Sequence, residues 1–180
     1  MSKTNRTIRS KKTIKLPFWK TKKVLIPIIA VLIIVAVYFL YFKKSNNEPQ
    51  WVREGEVTFL SRDTRKQLAR VEVEAAVDPT ERSQGLMYRS EMDENKGMLF
   101  IFDQENMQSF WMKNTILPLD IIFISSKGEI NTIHSHTVPY SEKSLPSKSK
   151  SQFVVEVNAG FCQRNGIKEG DLIEYKLDPK

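Results

Sequence analysis

An uncharged, apolar run near the amino terminus sets the strongest limit on how this chain is organised. Residues 24–42 read VLIPIIAVLIIVAVYFLYF and contain no charged side chain. As an α-helix this run would be roughly 28 Å long, at about 1.5 Å per residue, which is close to the thickness of a bilayer's hydrocarbon core. The preceding tail carries nine cations and could not cover such a helix on every side. The run therefore predicts one transmembrane helix.

The charges on either side of this run predict its orientation. Nine Lys and Arg residues precede it and two follow it directly. Because cation-rich flanks stay in the cytoplasm, residues 1–23 are expected to be a basic cytoplasmic tail. No small-residue cleavage site follows the run before Lys43, which favours an uncleaved signal anchor over a cleaved signal peptide. We therefore expect a single-pass protein of the inner (cytoplasmic) membrane, with a linker over residues 43–50 and one domain over residues 51–180 on the periplasmic or extracellular side.

The net charge of +7 belongs to the amino-terminal tail and not to the expected domain. Eleven of the 28 Lys and Arg residues lie in residues 1–44, which contain none of the 21 Asp and Glu residues. Residues 45–180 therefore carry 17 basic and 21 acidic groups, a net charge of −4. Nucleic-acid binding needs positive charge on the folded surface that contacts the phosphates. The charge distribution argues against a nucleic-acid partner.

Short stretches of alternating apolar and polar residues dominate the rest of the chain. Period-two or short apolar runs predict about eight strands, at residues 57–61, 68–76, 98–102, 107–113, 121–125, 130–137, 153–157 and 172–177. Two short helices are predicted at residues 79–87, after the capping sequence Asp78-Pro79-Thr80-Glu81, and at residues 160–165. The single cysteine, Cys162, excludes a disulfide within the chain. We expect a mainly β domain, a single sandwich or barrel with one or two short helices.

Several ordered motifs of this domain resemble those of the domain-of-unknown-function family 192. They are ERSQGLMYR at residues 81–89, GMLF at 97–100, FWMKNT at 110–115, PLDIIF at 118–123, NAG at 158–160 and GD at 170–171. Members are exported or membrane-anchored bacterial and archaeal proteins. The resemblance implies a mainly β, jelly-roll-like fold with a short helix, and it implies no known reaction. Where the family often has an aromatic residue followed by Ala, this chain has Phe161 and Cys162.

A cluster of residues in these motifs could form a ligand-binding surface. If the run 107–113 is a strand whose Phe110 and Met112 fill the core, Trp111 and Lys113 lie on its other face. Trp111 would be an apolar platform, Lys113 and Arg82 would meet anions or hydroxyls, and Asn114 and Asp120 would orient the ligand. The alternative is structural: Trp111 packs under the helix, Asn114 serves turn geometry, and Asp120 caps a backbone or forms an ion pair.

Two further kinds of site are considered as alternatives. The first is a hydrolase that uses Asp120, although none of the usual nucleophile or phosphate-loop motifs is present. The second is a copper site, because thioether and imidazole ligands suit Cu(I). Its candidate ligands are Met87, Met92, Met107, His134 and His136. The two histidines would lie on one strand face, at positions i and i+2.

The function expected from these patterns is that of a binding protein of the cell envelope. The membrane would be contacted through residues 24–42, and the exported domain would act as a non-enzymatic ligand-binding, protein-binding or assembly module. Its partner would be an envelope protein or a carbohydrate, and no cofactor is predicted. This assignment rests on architecture and surface aromatics, which fix location better than chemistry.

Overall fold

The structure is a computed structural model that describes residues 18–47 and 49–179. The chain divides into two compact units, Met1–Asn47 and Glu48–Lys180. Most of the predicted cytoplasmic tail, residues 1–17, lies outside the described residues. The first unit contributes one described element, a helix, and the second contributes all of the strands described below.

Helix α1 covers Phe18–Asn47, so it begins before the apolar run and ends after it. The backbone of residues 43–47, expected as linker, is therefore helical. Side chains of this helix are described from residue 26 to residue 40, and all of them are exposed. Over the described part of the chain, no helix combines the length and the hydropathy needed to cross a membrane.

The second unit is built from strands, as the period-two pattern predicts. Seven strands form one sheet in the order β6-β5-β8-β3-β2-β1-β9, and two short strands, β4 and β7, pair separately. The described strands are β1 (Gly55–Leu60), β2 (Gln67–Ala76), β3 (Lys96–Asn106), β4 (Ser109–Phe110), β5 (Leu119–Ile124), β6 (Ile130–His134), β7 (Leu145–Pro146), β8 (Ser151–Asn158) and β9 (Leu172–Leu177). The expectation of a mainly β domain with short helices is confirmed.

The arrangement of the strands differs from the predicted jelly roll. A jelly roll packs two antiparallel sheets, whereas here seven strands share one mixed sheet in which β2 and β3 are parallel. The physical reason is the connection between them, which contains helix α2 (Pro79–Gln84) and crosses over the sheet. At one end the two edge strands meet, since Ile130 N–H donates to Asp171 O at 2.8 Å and Gly170 N–H donates to Ile130 O at 2.8 Å. The sheet is therefore mostly open, with its two edge strands in contact at this end.

Apolar side chains cover both faces of the sheet. One cluster contains residues of β1, β2, β8 and β9 together with Phe161 and Cys162 of helix α3 (Phe161–Asn165). The second cluster contains Leu86, Phe100, Met112 and their neighbours. Because both faces are covered, β5 is buried at all six positions.

The helix and the strand that border the second cluster are both shorter than the sequence predicts. Asp78 caps α2 by accepting hydrogen bonds from the N–H groups of Thr80 and Glu81, at 2.7 and 2.9 Å. Gly85, with φ +48°, ends this helix three residues earlier than predicted. The predicted strand at 107–113 is also shorter, because only Ser109–Phe110 is a strand and a turn follows.

Candidate functional site

A cavity of about 400 Å³ lies between α2 and β4, on the face of the sheet that carries the second cluster. Its walls combine aromatic side chains with a small number of polar groups. The residues that matter below are Arg82, Gly85, Phe100, Phe102, Gln108, Phe110, Trp111 and Glu156. This volume falls in the range of sites for small organic molecules, roughly 300–1,000 Å³.

Arg82 is held in a fixed position at the edge of the cavity. Its Nη1 donates to the carbonyl oxygens of Val77 at 2.5 Å and Ile101 at 2.9 Å. Its guanidinium carbon lies 5.2 Å from the centroid of the Phe102 ring, within the range of a cation–π contact. Among the described residues, neither Nε nor Nη2 has a hydrogen-bond partner and no carboxylate pairs with Arg82. Two donor nitrogens of an oriented cation are therefore available.

The aromatic wall of the cavity is centred on Phe110. This ring packs edge-to-face against Phe100, with centroids 4.9 Å apart, and against Phe123, with centroids 5.6 Å apart. Trp111 is next in the chain and is 46% exposed. Lys113 Nζ lies 5.0 Å from the centroid of the Trp111 ring. The rigid phenyl rings and the half-exposed indole form an apolar surface against which a planar group could stack.

Glu156 is the buried acid of this cavity. It lies on β8, is 5% exposed and lines the cavity. Its Oε2 is 3.7 Å from the position that a Cβ atom at Gly85 would occupy, which places the carboxyl beside the end of α2. Loss of solvation on burial raises the pKa of Glu156 to about 8. No described residue forms a hydrogen bond or ion pair with its carboxyl. Burial therefore favours the neutral carboxyl, which can donate a hydrogen bond.

A second buried glutamate on the same face shows how the fold treats an acid outside the cavity. Glu74 pairs with Met98 across β2 and β3, and Met98 pairs with Glu156 across β3 and β8, so all three side chains lie in one row. Glu74 forms an ion pair with buried Arg89, and its Oε1 accepts a hydrogen bond from Val52 N–H at 2.7 Å. Glu74 is thus compensated, whereas Glu156 is not.

The five predicted ligand contacts occupy different places. Arg82 and Trp111 both line the cavity. Lys113 and Asn114 are absent from its lining, and Lys113 Nζ lies 3.9 Å from Glu142 Oε1. Asn114 has a left-handed backbone, with φ +55°, and its carbonyl accepts a hydrogen bond from Tyr88 N–H at 2.9 Å. Asn114 therefore lies in a turn outside the cavity lining.

Asp120, the fifth predicted contact, is fully buried and does not line the cavity. Its Oδ1 accepts hydrogen bonds from the backbone N–H groups of His136 at 2.9 Å and Gly160 at 3.0 Å. Its Oδ2 accepts a third from Cys162 N–H at 2.9 Å. The carboxylate thus joins its own strand to two other backbone segments, one at His136 and one at residues 160–162. Burial, followed by the charge of Asp120, raises the pKa of the Cys162 thiol, which makes it a poor nucleophile.

The candidate copper ligands are distributed over different environments. His134 Nε2 is 2.8 Å from the carbonyl oxygen of Pro146. His136 follows the end of β6 with a left-handed φ of +51°, so the two imidazoles do not share one strand face. Met87 lines the cavity, Met92 packs against the second cluster and Met107 is 59% exposed. Within the described residues, no group of three or more His, Cys, Asp or Glu side chains could hold a metal ion.

Sequence reasoning did not identify Glu156 as a ligand contact. The available signal was an acid inside the otherwise apolar run FVVEV, at residues 153–157 of a strand that is buried on both faces. A charged residue in such a strand needs an ion-pair partner or a site. Nothing in the local sequence shows that Gly85 would lie beside it or that it would share a cavity with Arg82.

The fold and the cavity define a small, mainly β domain with a ligand-sized, aromatic-walled cavity under a capped helix. The chain belongs to the domain-of-unknown-function family 192, described as uncharacterized ACR, whose model matches residues 60–175. The resemblance seen in the motifs is thereby confirmed.

Two solved structures are similar to this chain. One is a proposed transcription regulator from Sinorhizobium meliloti 1021, which is 41% identical, covers 70% of this chain and 98% of its own, and superposes with a TM-score of 0.65. The other is a protein of unknown function from Novosphingobium aromaticivorans DSM 12444, which is 37% identical, covers 66% and 83%, and has a TM-score of 0.62. No curated protein matches the chain.

Proposed function

We propose that residues 51–180 form a non-enzymatic binding module for a small organic molecule, which occupies the cavity between α2 and β4. The observation that carries this proposal is the meeting of three features in one cavity. They are an oriented cation with free donors (Arg82), a rigid aromatic wall around Phe110, and a buried carboxyl without a partner among the described residues (Glu156). Few, well-oriented polar groups in an apolar cavity are typical of ligand sites.

The arrangement of the hydroxyl and thiol groups favours binding over catalysis. Covalent catalysis needs a nucleophile within reach of a base. Thr115 Oγ1 donates to the Lys113 carbonyl at 3.2 Å, and Ser109 Oγ is 2.7 Å from Ser144 Oγ. No histidine is among the lining residues, and Cys162 lies in the opposite cluster with a raised thiol pKa. The described cavity therefore offers groups that orient a ligand and lacks a paired nucleophile and base.

Binding by this cavity is testable with a matched pair of aromatic variants. Residues 48–180 are a suitable sample, because they are a compact unit with two apolar clusters and because the Sinorhizobium meliloti chain is covered almost completely by this domain. A fragment library would be screened by ligand-observed NMR. Trp111→Ala should weaken the hits about tenfold, which is typical for an aromatic contact of a binding site.

The matched control is Tyr175→Ala. Tyr175 is 42% exposed, close to the 46% of Trp111, and it lines a different depression on β9. This control variant should bind the hits as the wild type does. The proposal is wrong if no fragment binds, or if the hits are equally sensitive to both variants.

We also propose that residues 24–42 anchor this module in the cytoplasmic membrane, with the module on the periplasmic or extracellular side. The support is the uncharged apolar run, its nine preceding cations, and the exposure of every described side chain from 26 to 40. The test compares the full chain with a variant that lacks residues 1–44. The full chain should stay in the membrane pellet after carbonate washing, and protease added to spheroplasts should digest its domain. A full chain that is released by the wash would contradict the anchor.

A further inference from the structure

We infer that the ligand is a small organic carboxylate with a planar apolar body, whose carboxylate pairs with Arg82 while the body lies in the cavity that Phe110 and Glu156 line. This inference rests on the proposed function, since it names the class of molecule that occupies the same cavity. It depends on the position of Arg82, on the surroundings of Glu156 and on the shape of the aromatic wall.

Arg82 supplies the positive charge and the geometry for a carboxylate. Its Nη1 is engaged by the carbonyls of Val77 and Ile101, so the guanidinium cannot rotate away without losing two hydrogen bonds. The edge formed by Nε and Nη2 has no partner among the described residues. Two parallel N–H donors on one guanidinium edge match the two oxygens of a carboxylate.

Glu156 lies at the end of α2, whereas the Arg82 guanidinium is held at the Val77 carbonyl before the helix, and both residues line the cavity. Arg82 is in the last turn of α2, and Gly85, which ends the helix, is the residue next to Glu156 Oε2. A side chain larger than hydrogen at Gly85 would come within 3.1 Å of the Phe100 ring, so glycine keeps the space above the carboxyl open. A protonated carboxyl at this place is a donor, and a ligand oxygen is the acceptor it needs.

The groups that surround Glu156 leave it without a compensating charge. Its neighbours across the sheet are Met98 on β3 and Ile121 on β5, and Phe100 lies beside it. Glu74 and Arg89, further along the same row, neutralise each other. Arg82 is the cation that lines the same cavity, and it makes no ion pair with Glu156 among the described contacts. Below the pKa of about 8, the cavity therefore has one net positive charge.

This net charge decides between an acid and an amine as the ligand. An ammonium group would be placed near a fixed guanidinium, within walls of low polarity where like charges repel strongly. A carboxylate would instead cancel the charge of Arg82. Phe110 and Trp111 offer flat faces and edges to the rest of the molecule, which favours a planar body.

The test uses three matched probes: indole-3-acetate, indole-3-acetamide and tryptamine. Their dissociation constants for residues 48–180 would be measured by calorimetry at pH 6.5 and pH 9.5. The acid should bind at least about tenfold more tightly than the amide at pH 6.5, which corresponds to a net charged hydrogen-bonded pair. Its affinity should fall about tenfold at pH 9.5, because an ionised Glu156 repels the ligand.

Two variants connect this preference to the named groups. Arg82→Gln should abolish the preference for the acid over the amide, whereas Arg70→Gln, an exposed arginine outside the cavity lining, should keep it. Glu156→Gln should bring the ratio of dissociation constants at pH 9.5 and pH 6.5 close to one. The comparison of acid with amide on the wild type stands even if a variant fails to fold.

The inference is overturned if the amide or tryptamine binds as tightly as the acid, or if Arg82→Gln keeps the preference. It is also overturned if none of the three probes binds while the fragment screen finds other Trp111-dependent hits. In both cases the proposed function survives, because a ligand of another class occupies the cavity. If neither the probes nor any fragment binds, both proposals fail.

Discussion

Asp120→Ala should strongly destabilise the domain without acting through the ligand cavity. The wild-type carboxylate is fully buried and accepts three backbone hydrogen bonds, from His136, Gly160 and Cys162. Alanine removes all three and leaves three N–H donors without this acceptor, two of them buried, those of Gly160 and Cys162. A hydrogen bond to a charged group contributes about 1.5–3 kcal/mol. Because the three share one carboxylate and are not additive, we expect a total loss of about 3–5 kcal/mol.

The conservative variant Asp120→Asn sharpens this prediction. Its amide oxygen can take the place of Oδ1 and still accept from His136 and Gly160. The amide NH₂ would then face the Cys162 N–H, so that two donors meet where the wild type has one donor and one acceptor. Asparagine should therefore cost about 1–3 kcal/mol, less than alanine, because one hydrogen bond is lost instead of three.

The assay is urea unfolding of residues 48–180, followed by circular dichroism at constant pH. Asp63→Ala is the control, because Asp63 is an exposed turn residue and should change the free energy of unfolding by less than about 0.5 kcal/mol. The midpoint of thermal unfolding should also fall by roughly 10 °C for Asp120→Ala. The reasoning is refuted if Asp120→Ala costs less than about 1 kcal/mol, or if it abolishes probe binding at unchanged stability.

Three other perturbations test the surroundings of the cavity. Burial raises the pKa of Glu156 from its ordinary 4.5 to about 8, so the wild type should lose stability as the pH rises through this window, by up to about 1.4 kcal/mol per unit. Glu156→Gln should remove this loss, and a wild-type stability that is as flat with pH as the variant's would contradict the assignment. Asp78→Ala should lower the free energy of unfolding by about 1 kcal/mol and weaken acid binding at Arg82, because α2 loses its cap. Asp78→Ser, which can still cap the helix, should keep the stability and the affinity of the wild type. If the two variants have the same stability and affinity, the cap has no role. Arg89→Met should lower the free energy of unfolding by about 3–5 kcal/mol, and adding Glu74→Gln should recover part of this loss. A double variant as unstable as Arg89→Met alone would contradict the buried ion pair.

Strand positions were the most predictable part of this fold. Residues 68–76 were predicted and 67–76 are found, and the run 172–177 has the predicted bounds. Alternation of apolar and polar residues predicts such strands because successive side chains of a strand point to opposite faces of the sheet, and this depends on the local sequence alone. Pairing depends on distant parts of the chain, and it was predicted less well. The parallel contact of β2 with β3 and the two-residue strand Leu145–Pro146 have no local signature.

The candidate site shows the same division between local and distant information. Arg82 and Trp111 were named from motifs and do line the cavity. Lys113 was placed beside Trp111 by assuming a strand over 107–113; it does lie beside the indole, although the backbone there is a turn. Asp120 was named as a residue that orients the ligand from its place in the motif PLDIIF, but its surroundings depend on the rest of the fold. The sequence cannot tell that three N–H groups from two other segments surround it.

The contrast between the two buried glutamates is the strongest physical reason to regard this cavity as a site. Glu74 and Glu156 lie in one row on one face of one sheet, and both are about 95% buried. The fold supplies Arg89 to the first and no charged partner, among the described residues, to the second. Glutamine would fit the same space as Glu156 without the free-energy cost of keeping a buried acid protonated above its ordinary pKa of 4.5. This fold neutralises Glu74 with Arg89 and leaves Glu156 without a charged partner among the described residues. The free-energy cost therefore falls on the acid whose carboxyl an open cavity makes accessible to a ligand. Such an arrangement is expected of a group that contacts a ligand.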